Sequence, residues 1–269
     1  MKKIFPFRYY HCILLCLVWL VVTFVYNFIL ISFDDNGVCL QYLPERTIYS
    51  IFGFLFLIHF IFYVLFNRNK RDIFNLNKIK VKSHYLNSIF VLLFYSTGRF
   101  LFSQGLFNRN GFDVFDMPLY MIFSICLFAP IAEEFVFRGV YLNGLNSNKK
   151  YPITLNIILV SIFFMFFHVG STDLGKNIIL FINSFLLSVY FSYLFSYYKD
   201  LLLVIILHSI ANILSLFFDQ YTQLISFDSP VLNIVFAIFS FIISIYLLIS
   251  QIKKISCLDE VNTNIMVTK

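Results

Sequence analysis

Two adjacent glutamates, Glu133 and Glu134, lie in a long apolar stretch of the chain together with Arg138. An ionisable side chain in hydrocarbon costs about 2.5–3.5 kcal/mol on insertion scales, so such groups mark candidate functional sites. Glu134 and Arg138 are four residues apart, which places them on one face of a helix and lets them pair. Glu133 points about 100° away from that face. A structural ion pair therefore explains Glu134 and Arg138 but not Glu133.

Two later apolar stretches carry further polar groups. His168 ends one of them, and His208 and Asn212 share a helix face in the other because they are four residues apart. A lone histidine is more often a satisfied structural group, and hydrogen bonds between membrane helices contribute only about 0.6 kcal/mol each. Two glutamates, one arginine, two histidines and one asparagine on three helices nevertheless favour a single polar cavity over separate structural roles.

These residues resemble the three motifs of a known family. Glu-Glu-x-x-x-Arg at 133–138, Phe-x-x-x-His at 164–168 and His-x-x-x-Asn at 208–212 occur in the order and spacing of the CPBP family. This family, also called Abi, includes CAAX prenyl endopeptidases and bacteriocin-processing or immunity proteins. The resemblance covers about residues 118–218. It implies an intramembrane endopeptidase, a hydrolase that acts on a membrane-associated peptide or protein.

The resemblance also implies a role for each motif residue. The residues expected to be catalytic are Glu133, His168, His208 and Asn212. Glu133 and His168 would position and activate a water molecule, while His208 and Asn212 would form the oxyanion hole. Peptide hydrolysis requires these two functions, a base for the water and donors for the developing negative charge.

Glu134 and Arg138 are expected to organise the site, since a paired Glu134 leaves Glu133 available as the base. No cofactor is expected, and no metal. Zinc bound by Glu133, Glu134, His168 and His208 is the alternative, because Glu and His both ligate zinc.

The composition of the chain indicates the environment in which these residues act. The chain has 269 residues, of which 60% are hydrophobic and 13% charged, with a mean hydropathy of +0.83. A soluble domain has about 25% charged residues. The composition excludes a soluble globular domain, a disordered chain and a disulfide scaffold. It predicts an all-α, polytopic protein of the lipid bilayer, and its net charge of +6 is better explained by membrane topology than by nucleic-acid binding.

Eight apolar stretches approach the roughly 20 residues that a membrane helix needs. They cover about residues 12–32, 48–66, 85–107, 118–142, 153–168, 177–196, 201–218 and 231–250. With both termini in the cytoplasm, most of the 20 basic residues fall on the inner side, as the positive-inside rule requires. The first stretch is too long for a signal peptide and predicts an uncleaved membrane helix.

The motifs divide the chain into three regions. Residues 1–117 form an N-terminal membrane region of three helices without family signature, residues 118–218 a four-helix CPBP-like core, and residues 219–269 the last helix and a cytoplasmic tail.

One conflict arises within the core. Counted from the cytoplasmic ends of their helices, Glu133 lies about nine residues deep, His208 about seven and His168 about fifteen, so His168 is expected too near the outer face.

Two other function classes stay open. A non-catalytic immunity or binding protein would protect the membrane without hydrolysis. A secondary transporter is less favoured, because transporters usually carry inverted repeats and the chain shows none. The Phe-, Ile-, Asn- and Lys-rich composition suits an AT-rich genome and suggests the plasma membrane of a bacterium.

Overall fold

A computed structural model gives the fold of this chain. It describes residues 8–32, 38–67, 82–107, 117–147, 151–168 and 174–267. Every secondary-structure element longer than one residue in these ranges is a helix, which confirms the predicted all-α class. In chain order the helices are α1 (Tyr9–Ser32), α2 (Val38–Asn67), α3 (Lys82–Phe107), α4 (residues 119–147), α5 (Ile153–Phe166), α6 (Leu174–Tyr198), α7 (Leu201–Gln220), α8 (Thr222–Ile225) and α9 (Pro230–Val267).

Within the described residues, six helices are long and apolar enough to cross a membrane. They are Tyr9–Ile29, Tyr85–Phe107, Leu119–Asn146, Leu180–Tyr198, Leu201–Gln220 and Pro230–Lys253. The other two stretches predicted to span coincide with shorter apolar helices, Tyr49–Leu65 and Ile153–Phe166. The protein is therefore a multi-pass membrane protein. The count of eight and the cytoplasmic termini stay predictions, because most of the basic residues that set the orientation lie outside the described residues.

The chain forms two compact units. The first unit comprises Met1–Leu76 and Pro118–His208, and the second comprises Asn77–Met117 and Ser209–Lys269. The first contains α1, α2, α4, α5, α6 and the beginning of α7. The second contains α3, the rest of α7, α8 and α9. The division of the sequence at residues 117 and 218 stays a prediction.

Helix α4 carries both glutamates and alternates between α-helical and π-helical turns. Its segments are Leu119–Phe123 (α), Ser124–Phe128 (π), Ala129–Glu134 (α), Phe135–Leu142 (π) and Asn143–Ser147 (α). The N–H of Ala129 bonds to the carbonyl of Ser124, five residues back, immediately before Pro130, which has no N–H to donate. All residues from 132 to 142 are buried, so α4 is the central helix of the first unit.

A buried polar contact joins α4 to α1 and α2. The Nδ1–H of His59 donates to the carbonyl of Leu55 (2.6 Å), which leaves Nε2 to accept from the hydroxyl of Tyr141 (2.7 Å). The thiol of Cys16 lies 3.0 Å from the same hydroxyl. Each of these groups is paired, so His59 has a structural role in the packing of α2 against α4.

In the second unit, α3 packs along α9. Two glycines of α3 permit the close approach. A Cβ on Gly105 would lie 2.6 Å from Cγ1 of Ile234, and one on Gly98 would lie 3.0 Å from the ring of Phe241. Small residues at such positions are typical of membrane helices that pack backbone to backbone.

Candidate active site

Arg138 and Glu134 form the ion pair that their spacing predicts. Nη1 of Arg138 donates to Oε1 of Glu134 at 3.0 Å, and both side chains are 0% exposed. Nη2 of Arg138 donates to the carbonyl oxygen (3.0 Å) and the hydroxyl (2.9 Å) of Ser188 on α6. The guanidinium carbon lies 4.8 Å from the ring centroid of Phe164 and 5.7 Å from that of Phe191. The charge is thus balanced by a carboxylate and enclosed by hydrogen bonds and rings.

Glu134 also connects the first motif with the third. Its Oε1 accepts a second hydrogen bond, from Nδ1 of His208 at 2.7 Å. The imidazole of His208 packs between the rings of Phe164 (centroids 5.9 Å apart) and Phe191 (5.5 Å). With Nδ1 engaged by Glu134, the ring can present only Nε2 to a reacting group.

Glu133 faces both histidines of the motifs. Its Oε2 lies 3.8 Å from Nε2 of His168 and 3.9 Å from Nε2 of His208. These distances are too long for direct hydrogen bonds, and Oε2 is buried with no hydrogen-bond partner. A water molecule can bridge polar atoms separated in this way. A water could therefore join Oε2 of Glu133 to Nε2 of either histidine.

His168 is held in a turn that follows α5. Its Nδ1 donates to the carbonyl of Phe164 at 2.9 Å, which in the neutral ring leaves the lone pair on Nε2 directed toward Glu133. The side chain is 27% exposed, more than those of Glu133 (12%) and His208 (7%). His168 thus lies at the open side of the group.

The lengths of α4 and α5 account for the position of His168. The expected conflict placed the inner end of the Glu133 helix near residue 142, whereas α4 continues to Ser147, 14 residues beyond Glu133. Helix α5 has 14 residues and measures roughly 21 Å at about 1.5 Å per residue, so His168 comes directly after its end at a similar distance from the same side. The distance of 3.8 Å between Glu133 and His168 removes the conflict.

Asn212 lies one helical turn beyond His208 on α7, in the second unit, and is partly buried. Its expected place in an oxyanion hole stays a prediction. Arg99, also in the second unit, donates from Nη2 to the hydroxyl of Ser215 at 2.7 Å.

The four residues of the zinc alternative have different partners. Oε1 of Glu134 is bonded to Arg138 and to Nδ1 of His208, whereas the Nε2 atoms of the histidines face Glu133. In the part of the chain that the structure describes, no group of three or more His, Cys, Asp or Glu side chains has the arrangement of a metal site. The zinc alternative stays a prediction.

Ser188 is the site residue that the sequence reasoning missed. A signal was available, since serines recur at every fourth position of α6, at 184, 188, 192 and 196. This spacing places them on one helix face and is typical of close helix packing.

A comparison with protein families identifies the segment that contains this site. Residues 115–214 match the family model described as type II CAAX prenyl endopeptidase Rce1-like. The match spans all three motifs and confirms the resemblance to the CPBP family that their spacing indicated. Neither the curated proteins nor the solved structures contain a match to the chain.

Proposed function

We propose that this protein is a CAAX-type intramembrane endopeptidase in which a glutamate-activated water attacks a peptide bond of a membrane-associated substrate. The observation that carries the proposal is the position of Glu133. Its unpaired Oε2 faces Nε2 of His168 and of His208 at 3.8 and 3.9 Å, within a segment matched by a CAAX endopeptidase family model.

Glu133 acts as the general base. A water between Oε2 of Glu133 and Nε2 of His168 is held by two acceptors, and it can transfer a proton to the carboxylate as its oxygen attacks the carbonyl carbon. The proton then passes from Glu133 to the leaving amine. Oε2 of Glu134 is also buried without a hydrogen-bond partner, but the ion pair with Arg138 stabilises the charged form of this carboxylate and so makes Glu134 the weaker base.

His208 and Asn212 stabilise the tetrahedral intermediate. Nε2 of His208 donates to the oxyanion when the ring carries both protons, and the carboxylate of Glu134 at Nδ1 balances that charge. The role of Asn212 rests on the motif resemblance, and its amide supplies a second donor.

The surroundings of the site follow from the same proposal. Eight helices cross the plasma membrane of a bacterium with both termini in the cytoplasm, and the substrate reaches the site from the bilayer. Hydrolysis proceeds without a metal ion. Elemental analysis of purified active protein checks this point, and stoichiometric zinc whose removal abolishes activity would contradict it.

The direct test is hydrolysis by the full-length protein in lipid vesicles. The probe is a quenched farnesylated peptide that ends in a CAAX sequence, and the same peptide without the prenyl group is its matched control. We expect cleavage of the prenylated probe. If neither peptide is cleaved by protein that still unfolds cooperatively on heating, the CAAX-type activity is refuted.

A further inference from the structure

We propose that Ser188 is a positioning residue of this site, which orients His208 through Arg138 and Glu134. The proposal rests on the proposed function and adds a residue that lies outside all three motifs. The hydroxyl of Ser188 bonds to Arg138, so its effect on the site passes through other side chains.

Four side chains form a continuous chain of contacts from α6 to α7. The hydroxyl of Ser188 accepts from Nη2 of Arg138 (2.9 Å), and Nη1 of Arg138 donates to Oε1 of Glu134 (3.0 Å). The same Oε1 accepts from Nδ1 of His208 (2.7 Å). Nε2 on the far side of that imidazole faces Oε2 of Glu133 at 3.9 Å. A rotation of the Arg138 guanidinium therefore moves the carboxylate of Glu134, which orients the ring of His208.

The hydroxyl of Ser188 is important because nothing else can replace it. Ser188, Arg138 and Glu134 are all 0% exposed, so bulk water does not compensate for a lost hydrogen bond. Without the hydroxyl, Nη2 keeps only the carbonyl of Ser188 as an acceptor, and Nε of Arg138 already lacks a partner. Buried ion pairs depend on such additional hydrogen bonds to hold their geometry.

The serine repeat of α6 supplies a matched control. Ser192 lies one turn beyond Ser188 on the same helix and is also 0% exposed, but its hydroxyl has no hydrogen-bond partner. Replacing either serine with alanine removes the same single oxygen atom from a buried position. Only the Ser188 variant removes a bond to Arg138.

The kinetic experiment compares Ser188→Ala with Ser192→Ala in vesicles, with the farnesylated CAAX peptide as substrate. We expect kcat to fall about tenfold in Ser188→Ala with KM unchanged, because a charge-assisted hydrogen bond is lost away from the bound substrate. Ser192→Ala should keep the wild-type kcat. Should Ser188→Ala not fold, Ser188→Cys and Ser188→Thr replace it. Ser188→Cys should lower kcat because a thiol is a weak acceptor. Ser188→Thr should keep kcat near the wild-type value because its hydroxyl can accept from Arg138.

A second readout requires no substrate. The chain has 5 histidines, so ¹⁵N-histidine NMR of the full-length protein can resolve the ring of His208, with His208→Gln for assignment. We expect Ser188→Ala to shift the His208 signals and leave those of His59 in place, and Ser192→Ala to shift neither. If cleavage is absent in the wild type while this shift occurs, the proposed function fails and the contact chain stands.

Two results would overturn the role of Ser188. One is a folded Ser188→Ala protein with wild-type kcat and unchanged His208 signals. The other is an equal loss of activity in Ser192→Ala, which would mean that the serines of α6 act through helix packing alone.

Discussion

The two compact units bury polar side chains in different ways. In the second unit the contacts between α3 and α9 are neutral: the hydroxyl of Ser244 donates to the carbonyl of Val91 (3.0 Å), and the amide of Gln251 donates to the hydroxyl of Ser88 (2.9 Å). In the first unit, Arg138 and His208 both donate to Oε1 of Glu134, and Oε2 of Glu133 has no hydrogen-bond partner. Neutral pairs stabilise a helix contact, whereas an unsatisfied carboxylate oxygen among charged groups needs a functional explanation.

The first unit also contains a neutral buried contact, with which the charged site can be compared. The contact of Tyr141 with His59 is as deeply buried as the glutamates, but it is neutral. Burial alone therefore does not distinguish the candidate site. The candidate site is distinguished by its combination of two carboxylates, one guanidinium and two imidazoles. Neighbouring groups in this set are either hydrogen-bonded or close enough for one water molecule to bridge them.

The largest effect is expected for Glu133→Gln. The substitution removes the base but keeps the shape, so kcat on the farnesylated peptide should fall about 10²–10⁴-fold. Stability should hardly change, because Oε2 makes no hydrogen bond that could be lost. Turnover assays and thermal unfolding on the same preparation measure both.

The same variant separates the enzyme from a non-catalytic immunity protein. In cells that depend on this protein for protection from a bacteriocin, Glu133→Gln should fail to protect if hydrolysis is the mechanism. Full protection by a well-expressed Glu133→Gln protein would favour the binding role instead.

Asn212→Ala should remove one oxyanion donor and lower turnover about 10²–10³-fold. Because the side chain is expected to act on the transition state, KM should stay close to the wild-type value. Comparison of kcat and KM with those of Asn212→Asp tests this, since the carboxylate cannot donate. Wild-type turnover in either variant would remove Asn212 from the proposed oxyanion hole.

Glu134→Gln should lower stability as well as activity. It leaves the charge of Arg138 buried without a counter-charge, and breaking such a pair costs about 3–5 kcal/mol. Ser244→Ala in the second unit is the neutral counterpart and should cost only about 0.6 kcal/mol. Chemical unfolding in detergent compares the two. Equal losses would mean that charged and neutral buried pairs do not differ as described.

A smaller loss of stability than in Glu134→Gln is expected where packing alone is changed. Gly105→Ala places a Cβ 2.6 Å from Ile234 and 3.0 Å from the carbonyl of Pro230, and overpacking of this kind costs about 1–3 kcal/mol. Gly53→Ala on α2 is the control, because a Cβ there meets no atom within 4 Å. Thermal unfolding should separate the two variants. Gly105→Ala with wild-type stability would show that the α3–α9 contact can readily adjust.

Some features of the site follow from the sequence because they are local. Glu134 and Arg138 lie four residues apart, and helix geometry alone brings such side chains together. The same geometry directs Glu133 away from Arg138. Apolar stretches of sufficient length determine the helices, and the order of the three motifs indicates the resemblance to the CPBP family that the match to residues 115–214 supports.

Other features depend on how helices rotate and how deep each one ends, which no local spacing determines. The bond between Glu134 and His208 joins residues 74 positions apart, and the contact between Arg138 and Ser188 joins residues 50 positions apart. The ends of α4 and α5 bring His168 within 3.8 Å of Glu133. These arrangements arise from packing among α4, α5, α6 and the beginning of α7, and only the tertiary structure decides them because each helix has many rotations that would bury its apolar residues equally well.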